Sequence, residues 1–136
     1  MKDNSITIKI ESLKSEFEIL DNPMDKYQYI IDLGKEKENL SQDIRIEKNL
    51  IKGCVSQAWM QIESKINPIK IITDSDALIV KGLLGILEKL VNESNVDDIK
   101  KLNGSEILNN IGLGYSISSQ RTNGFIGAVN KIKMEL

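Results

Sequence analysis

Apolar residues at Ile10, Leu13, Phe17 and Leu20 recur at three- and four-residue intervals, with Lys and Glu between them. That spacing puts them on one face of a helix over about residues 8 to 20. Asn22 then offers an N-cap, Pro23 suits the first helical position, and Asp25 complements the dipole in the first turn. Met24, Tyr27, Ile30 and Ile31 form the apolar stripe of this second helix, about residues 23 to 33. Gly34 is expected to end it in a left-handed conformation. Residues 35 to 45, KEKENLSQDIR, are polar and lack a period, which reads as a solvated, exposed connection.

The pattern then changes period. Ile46, Leu50 and Ile51 lead into Gly53-Cys54, and residues 55 to 63 alternate. Ala58, Met60 and Ile62 fall on one side, and Gln57, Trp59, Gln61 and Glu63 on the other. Asn67-Pro68 marks a turn, and Ile69, Ile71 and Ile72 make a third β-branched run. Three short runs with tight connections predict a three-stranded antiparallel meander.

From Asp74 the helical period returns. Ser75 is placed to cap and Asp76 to sit in the first turn of a helix whose body, Ala77 to Val91, is apolar on almost every side and therefore central. Gly82 and Gly85 each cost this helix about 1 kcal/mol relative to Ala. Their spacing predicts a face where another backbone approaches closely. Asn95 caps a shorter helix through Leu102, Asn103-Gly104 breaks it, and a further helix over about 105 to 111 ends near Gly112. Ser118 caps the last helix, with Phe125, Val129 and Ile132 as its buried stripe. Helices and strands are segregated along the chain, so the fold class is α+β, in a single domain over residues 1–136.

Composition narrows the chemistry. The 136 residues contain no His and one Cys, Cys54. Ser–His–Asp and Cys–His catalysis, His-ligated zinc, an internal disulfide and a CxxC pair are all excluded within one chain. A net charge of −2 and a pI near 5.3 show no basic face for a phosphate backbone, so no nucleic-acid partner is expected. No run approaches the roughly 18 apolar residues of a membrane span, and the first residues are neither a secretory signal nor a transit peptide. A soluble cytoplasmic protein, with its lone thiol kept reduced, is the expectation.

Free Cys usually packs as a small hydrophobe. Cys54, however, follows Gly53 at a turn between strands, where a side chain can be displayed. With no second Cys and no His, the chemistry that suits it is thiol exchange with a partner that brings the incoming group. Arg121 is one of only two Arg, in the first turn of the last helix where the dipole prefers an acid. A cation there is either a solvated surface residue or a specific contact for a carboxylate or thiolate. Asp74-Ser75-Asp76 has too few ligands for a calcium loop and reads as a helix start. Trp59 reads as core packing. Gly112-Leu113-Gly114 has no strand leading into it and is no nucleotide loop.

Four segments taken together are more specific than any one of them. Gly53-Cys54-Val55-Ser56-Gln57-Ala58-Trp59 resembles the cysteine-loop signature of the SufE family. Asp74-Ser75-Asp76-Ala77 followed by Ile79-Val80-Lys81-Gly82-Leu83, Arg121-Thr122-Asn123-Gly124, and residues 27 to 34, YQYIIDLG, are similar to further blocks of that family in the same order. The resemblance spans roughly residues 10 to 134. It implies a SufE/IscU-like fold, a small three-stranded antiparallel sheet with helices packed against it.

It also implies a function. SufE proteins accept sulfur from PLP-dependent cysteine desulfurases of the SufS type and pass it to the SufBCD scaffold for Fe–S cluster assembly. By its place in the motif Cys54 is the persulfide acceptor, and Arg121 serves partner docking or thiolate stabilisation. PLP belongs to the partner, so no cofactor is expected in this chain. The paralogue CsdE, which serves the desulfurase CsdA, shares these motifs, and a homodimer stays open. A non-catalytic regulator of a desulfurase is the alternative. A thiol peroxidase would lack a resolving Cys and an evident base.

Overall fold

Leu83, Leu84, Ile86, Leu87, Leu90 and Val91 are all fully buried, so the segment that is apolar on almost every side forms the central helix. The computed structural model of the chain describes residues 5–36, 42–52, 57–64, 69–92, 94–113 and 118–136. The described elements are α1 (Ser5–Glu18), α2 (Pro23–Glu36), β1 (Ala58–Ser64), β2 (Lys70–Ser75), α3 (Leu78–Val91), α4 (Val96–Lys100), α5 (Gly104–Asn110) and α6 (Ser119–Glu135). Short 3-10 turns stand at Gln42–Ile44 and Glu47–Asn49. The class is α+β. Helix α3 packs against α2, β2, α6 and α1, and so connects the sheet to most of the helical layer.

Helices α2 and α3 touch backbone to backbone. A Cβ on Gly82 would lie 2.0 Å from the Ile30 carbonyl oxygen, and one on Gly34 would lie 2.6 Å from the Leu78 carbonyl oxygen. The expected close approach at Gly82 is therefore present. Gly34, in contrast, does not end α2. The helix continues to Glu36, and Gly34 is a buried contact within it. Gly85 instead borders a hollow of about 460 Å³ between α1, α2 and α3. Phe17 of α1 meets Tyr29 of α2 edge to face at 5.2 Å between ring centroids. Burial, then Glu16 and Glu36, push the Tyr29 hydroxyl above its usual 10.0.

The sheet differs from the expected three strands. Two strands, β1 and β2, pair antiparallel among the described residues, with Ala58 opposite Ser75, Met60 opposite Thr73 and a bulge between Ile62 and Ser64. Where the first strand was expected there is a single bridge, Leu50 with Trp59, and the Ile51 N–H donates to the Ala58 carbonyl at 2.9 Å. Residues Glu47–Asn49 leave the sheet because local bonds compete with the ladder. The Asn49 amide donates to the Ile44 carbonyl at 2.9 Å, and the Leu50 N–H to the Glu47 carbonyl at 3.1 Å.

The far edge of β2 is closed by side chains. The Asp76 N–H donates to the Gln57 carbonyl, which by strand alternation turns Ile71, Thr73 and Ser75 away from β1. The Ile71 N–H donates to Asn92 Oδ1 at 2.8 Å, and the Thr73 N–H to Glu88 Oε2 at 2.8 Å. Asn92 and Glu88 are four residues apart at the end of α3. Their spacing lets them act as a strand would and hide an otherwise sticky edge.

The connection over residues 35 to 45 also differs from a solvated run. Lys35 and Glu36 complete α2, residues 37–41 lie outside the described set, and Ile44 is buried. The two short helices α4 and α5 follow expectation. Asn95 and Asn103 cap α4 and α5 by accepting the Asp98 and Glu106 N–H groups at 2.9 and 3.0 Å. Gly112 after α5 has φ +85°, and Phe125, Val129 and Ile132 are buried along α6.

Candidate functional site

Residues 53–56, and with them Cys54, lie outside the described residues. Both chain ends that lead to them are described, and both are tied to the core. On the entering side, the Lys52 carbonyl lies so close to Gly127 of α6 that a Cβ there would be 2.5 Å from it, and Ile51 bonds Ala58. On the leaving side, the Gln57 carbonyl accepts from the Ser75 hydroxyl at 2.8 Å and from the Asp76 N–H at 3.1 Å. The segment that carries the only cysteine thus starts and finishes on α6 and on the β2–α3 junction.

That junction holds buried charge. Asp74 accepts from the Ser75 N–H at 2.9 Å, and Arg45 Nε donates to its other oxygen at 2.8 Å. Lys81 Nζ of α3 lies 3.7 Å from the first oxygen. The Arg45 guanidinium also stacks over the buried Trp59 ring, 4.8 Å from its centroid. Lys81 is only 8% exposed, and a buried ammonium needs such a counter-charge. Asp74→Ala is therefore expected to destabilise the fold by about 3 kcal/mol, because it removes the carboxylate that faces two cations, one of them buried. Arg45→Ala is expected to cost only about 1 kcal/mol, since its side chain is 34% exposed and water replaces part of the contact. Urea unfolding of the two variants checks the order; equal losses would count against Asp74 as the hub.

Asp74, Ser75 and Asp76 do not form a capped helix start, as the sequence suggested. β2 runs through Ser75, and α3 begins at Leu78 with Ala77 at the N-cap and no side-chain cap bond. The pairing of Ala58 with Ser75 and Trp59 with Asp74 draws both residues into the sheet. The Ser75 hydroxyl still accepts the Ala77 N–H at 3.2 Å while it donates to Gln57, so it joins the helix entry to the cysteine segment.

Arg121 is the third residue of α6 and is exposed. Its guanidinium hydrogen-bonds the Tyr27 hydroxyl and lies over the Tyr27 ring at 5.3 Å. Lys52 meets the same helix six residues further on, at Gly127, about 9 Å along the axis. The structure thus joins Arg121 to Tyr27 of α2 and puts the entry to the cysteine segment on the same helix. Ser118, expected as a side-chain cap, holds the helix start through its carbonyl, which accepts the Arg121 and Thr122 N–H groups at 3.1 and 3.0 Å. Among the described residues no group of three or more His, Cys, Asp or Glu could hold a metal ion, and no helix is long and apolar enough to cross a membrane.

A sequence model of the SufE family, described as an Fe-S metabolism associated domain, matches residues 11–136. The chain belongs to the SufE family. It is 35% identical over 130 residues to an uncharacterized SufE-like protein of Rhizobium etli, covering 93% of this chain and 88% of that protein. It is 31% identical over 130 residues to an uncharacterized SufE-like protein of Rhizobium meliloti, covering 93% of each. The fold matches the solution structure of a hypothetical protein from Thermus thermophilus with a TM-score of 0.75, at 12% identity, over 93% of this chain and 92% of that one. An association with Fe–S metabolism follows from the family.

Several contacts of this SufE-family site were not read from the sequence. Arg45 is the other of the two Arg, yet it sits in a polar run that carries no period. Lys81 had a signal: a lysine inside an almost wholly apolar helix must find a carboxylate or reach water. The pairing of Arg121 with Tyr27 and of Gly127 with Lys52 joins residues far apart in the chain, which no local pattern reports.

Proposed function

We propose that this SufE-family protein is a sulfur acceptor for a PLP-dependent cysteine desulfurase of the SufS type, or of the CsdA type, in the cytoplasm. The Cys54 thiolate attacks the outer sulfur of the desulfurase persulfide. The S–S bond breaks, the desulfurase cysteine leaves as a thiolate, and the transferred sulfur keeps its proton as the Cys54 persulfide. The sulfur then passes to the SufBCD scaffold for cluster assembly. One observation carries the reading: the only cysteine of a SufE-family chain falls in a short segment whose two ends are tethered to α6 and to the β2–α3 junction. Such tethering supports presentation of a reactive side chain from a rigid frame. Mass spectrometry after incubation with a cysteine desulfurase, PLP and cysteine tests it. Sulfur added at Cys54 is expected, and an unmodified Cys54 overturns the proposal.

Arg121 belongs to the same proposal as a residue that meets a carboxylate on the desulfurase or steadies the thiolate. Arg121→Ala is expected to lower sulfur acceptance severalfold while stability changes by less than about 1 kcal/mol, since the side chain is exposed. Arg121→Lys is expected to recover only part of it, because an ammonium supplies the charge without the planar fork that a carboxylate engages. Desulfurase stimulation measured across acceptor concentrations decides the role. A change in half-saturation alone assigns docking, a change in maximal rate alone assigns transfer, and no change in either removes Arg121 from the site.

A further inference from the structure

Arg45 and Arg121, the two arginines of the chain, both lie over an aromatic ring, and they differ in what holds the guanidinium. Arg45 stacks on Trp59 and donates to the Asp74 carboxylate, so its charge is answered inside the fold. Arg121 stacks on Tyr27 and donates to a neutral phenol hydroxyl. Among the described residues no carboxylate lies within ion-pair distance of Arg121. From this contrast we propose that Tyr27 is a positioning residue. It fixes the Arg121 guanidinium in one orientation without neutralising it, so the charge stays available at the interface with the desulfurase. The inference rests on the sulfur-acceptor reading and deepens its assignment of Arg121.

Tyr27 is itself held. In α2 it stands one turn before Ile30 and Ile31 and shares their face. Ile30 is fully buried where its carbonyl presses on Gly82, and Tyr27 is partly buried against the core. The neighbouring Lys26 reaches the Gly112 carbonyl after α5 at 3.5 Å. Arg121, by contrast, is exposed in the first turn of α6, where so long a side chain otherwise samples many rotamers. The Tyr27 ring takes one face of the guanidinium, and its hydroxyl accepts one of the N–H groups. The remaining N–H groups of the planar fork are left for a partner carboxylate or thiolate. Ordering the side chain beforehand removes that entropy loss from the binding step. An acid in place of Tyr27 would cancel the charge, and an aliphatic residue would leave the guanidinium loose.

The test has two readouts. In the full ¹⁵N-labelled chain the two arginines give two side-chain Nε–H signals, and Arg45 is the internal control. Tyr27→Leu is expected to shift the Arg121 signal and to raise its nanosecond mobility, with the Arg45 signal unmoved. Tyr27→Phe, which keeps the ring and drops the hydroxyl, is expected to fall between Leu and the parent. The second readout is stimulation of a SufS-type desulfurase across acceptor concentrations. Tyr27→Leu is expected to worsen about threefold whichever parameter Arg121→Ala worsens, half-saturation or maximal rate, and to add almost nothing in the Arg121→Ala background. The inference is overturned by an unchanged Arg121 signal in Tyr27→Leu, or by stimulation like the parent's in either Tyr27→Leu or Arg121→Ala. It is also overturned by equal losses from Tyr27→Leu in both backgrounds, which would make Tyr27 an independent contact or a packing residue. Mass spectrometry of Cys54 reads the sulfur-acceptor proposal separately. Sulfur at Cys54 without coupling between Tyr27 and Arg121 fails this inference alone, and coupling without sulfur at Cys54 fails the acceptor reading alone.

Discussion

Cys54→Ser is expected to fold like the parent chain and to accept no sulfur. Serine is nearly isosteric with cysteine, and an alcohol forms no persulfide. The ties that fix the ends of the segment, Ile51 to Ala58, Lys52 against Gly127 and Gln57 to Ser75, are backbone contacts or come from other side chains. They survive loss of the thiol. Intact-mass analysis after exposure to a desulfurase and cysteine reads the loss of transfer, and thermal unfolding reads the fold. A variant that still stimulates the desulfurase as strongly as the parent would make the protein a regulator and not a carrier. A drop in stability of about 2 kcal/mol would mean that Cys54 is valued for packing, as free cysteines commonly are.

Gly82→Ala is expected to lower stability by about 3 kcal/mol, more than the same change at Gly34 or Gly127, where the nearest carbonyl oxygen is further away. The new Cβ would lie 2.0 Å from the Ile30 carbonyl oxygen and 2.8 Å from its carbon, and neither can rotate out of the way. Helices α2 and α3 must separate, which opens the core around Leu83 and Ile30. The gain in helix propensity from Gly to Ala, about 1 kcal/mol, offsets only part of this. Gly85→Ala is the control. It sits one turn away on the border of a hollow, so the same propensity gain is expected to leave stability unchanged or to raise it by up to about 1 kcal/mol. Urea unfolding of the two variants should therefore move in opposite directions or nearly so. A small effect at both positions would contradict the close crossing of α2 and α3.

The site was legible in part. The glycine before Cys54 and the alternation after it read as a displayed thiol at a turn. Residues 53–56 lie outside the described set, and what the structure gives is the two chain ends that lead to them, Lys52 against Gly127 and Gln57 bonded to Ser75. Arg121 was visible as a cation where the helix dipole disfavours one. Its partner was not, because Tyr27 is 94 residues away in sequence and looks like one more apolar position of α2. Asp74 was visible as an acid near a helix start and was read as helical. Asp74 and Ser75 serve a strand end, because pairing with β1 outweighs the local preference for a cap.

The sequence by itself determined the elements whose signal repeats along one segment. The amphipathic stripes of α1, α2 and α6 and the apolar run of α3 each set a buried face through their own spacing. The Asn caps at 95 and 103 act within three residues. Cysteine count and the absence of His likewise needed no coordinates to limit the chemistry. Tertiary structure decided whatever depends on which segments meet. Residues 46 to 51 carry apolar positions fit for a strand, yet a local bond from Asn49 turns Glu47–Asn49 out of the sheet and leaves a single bridge. Glycines 34, 82 and 127 look alike in sequence. Their value comes from the carbonyls of Leu78, Ile30 and Lys52 that press against them, and only the packed chain supplies those neighbours.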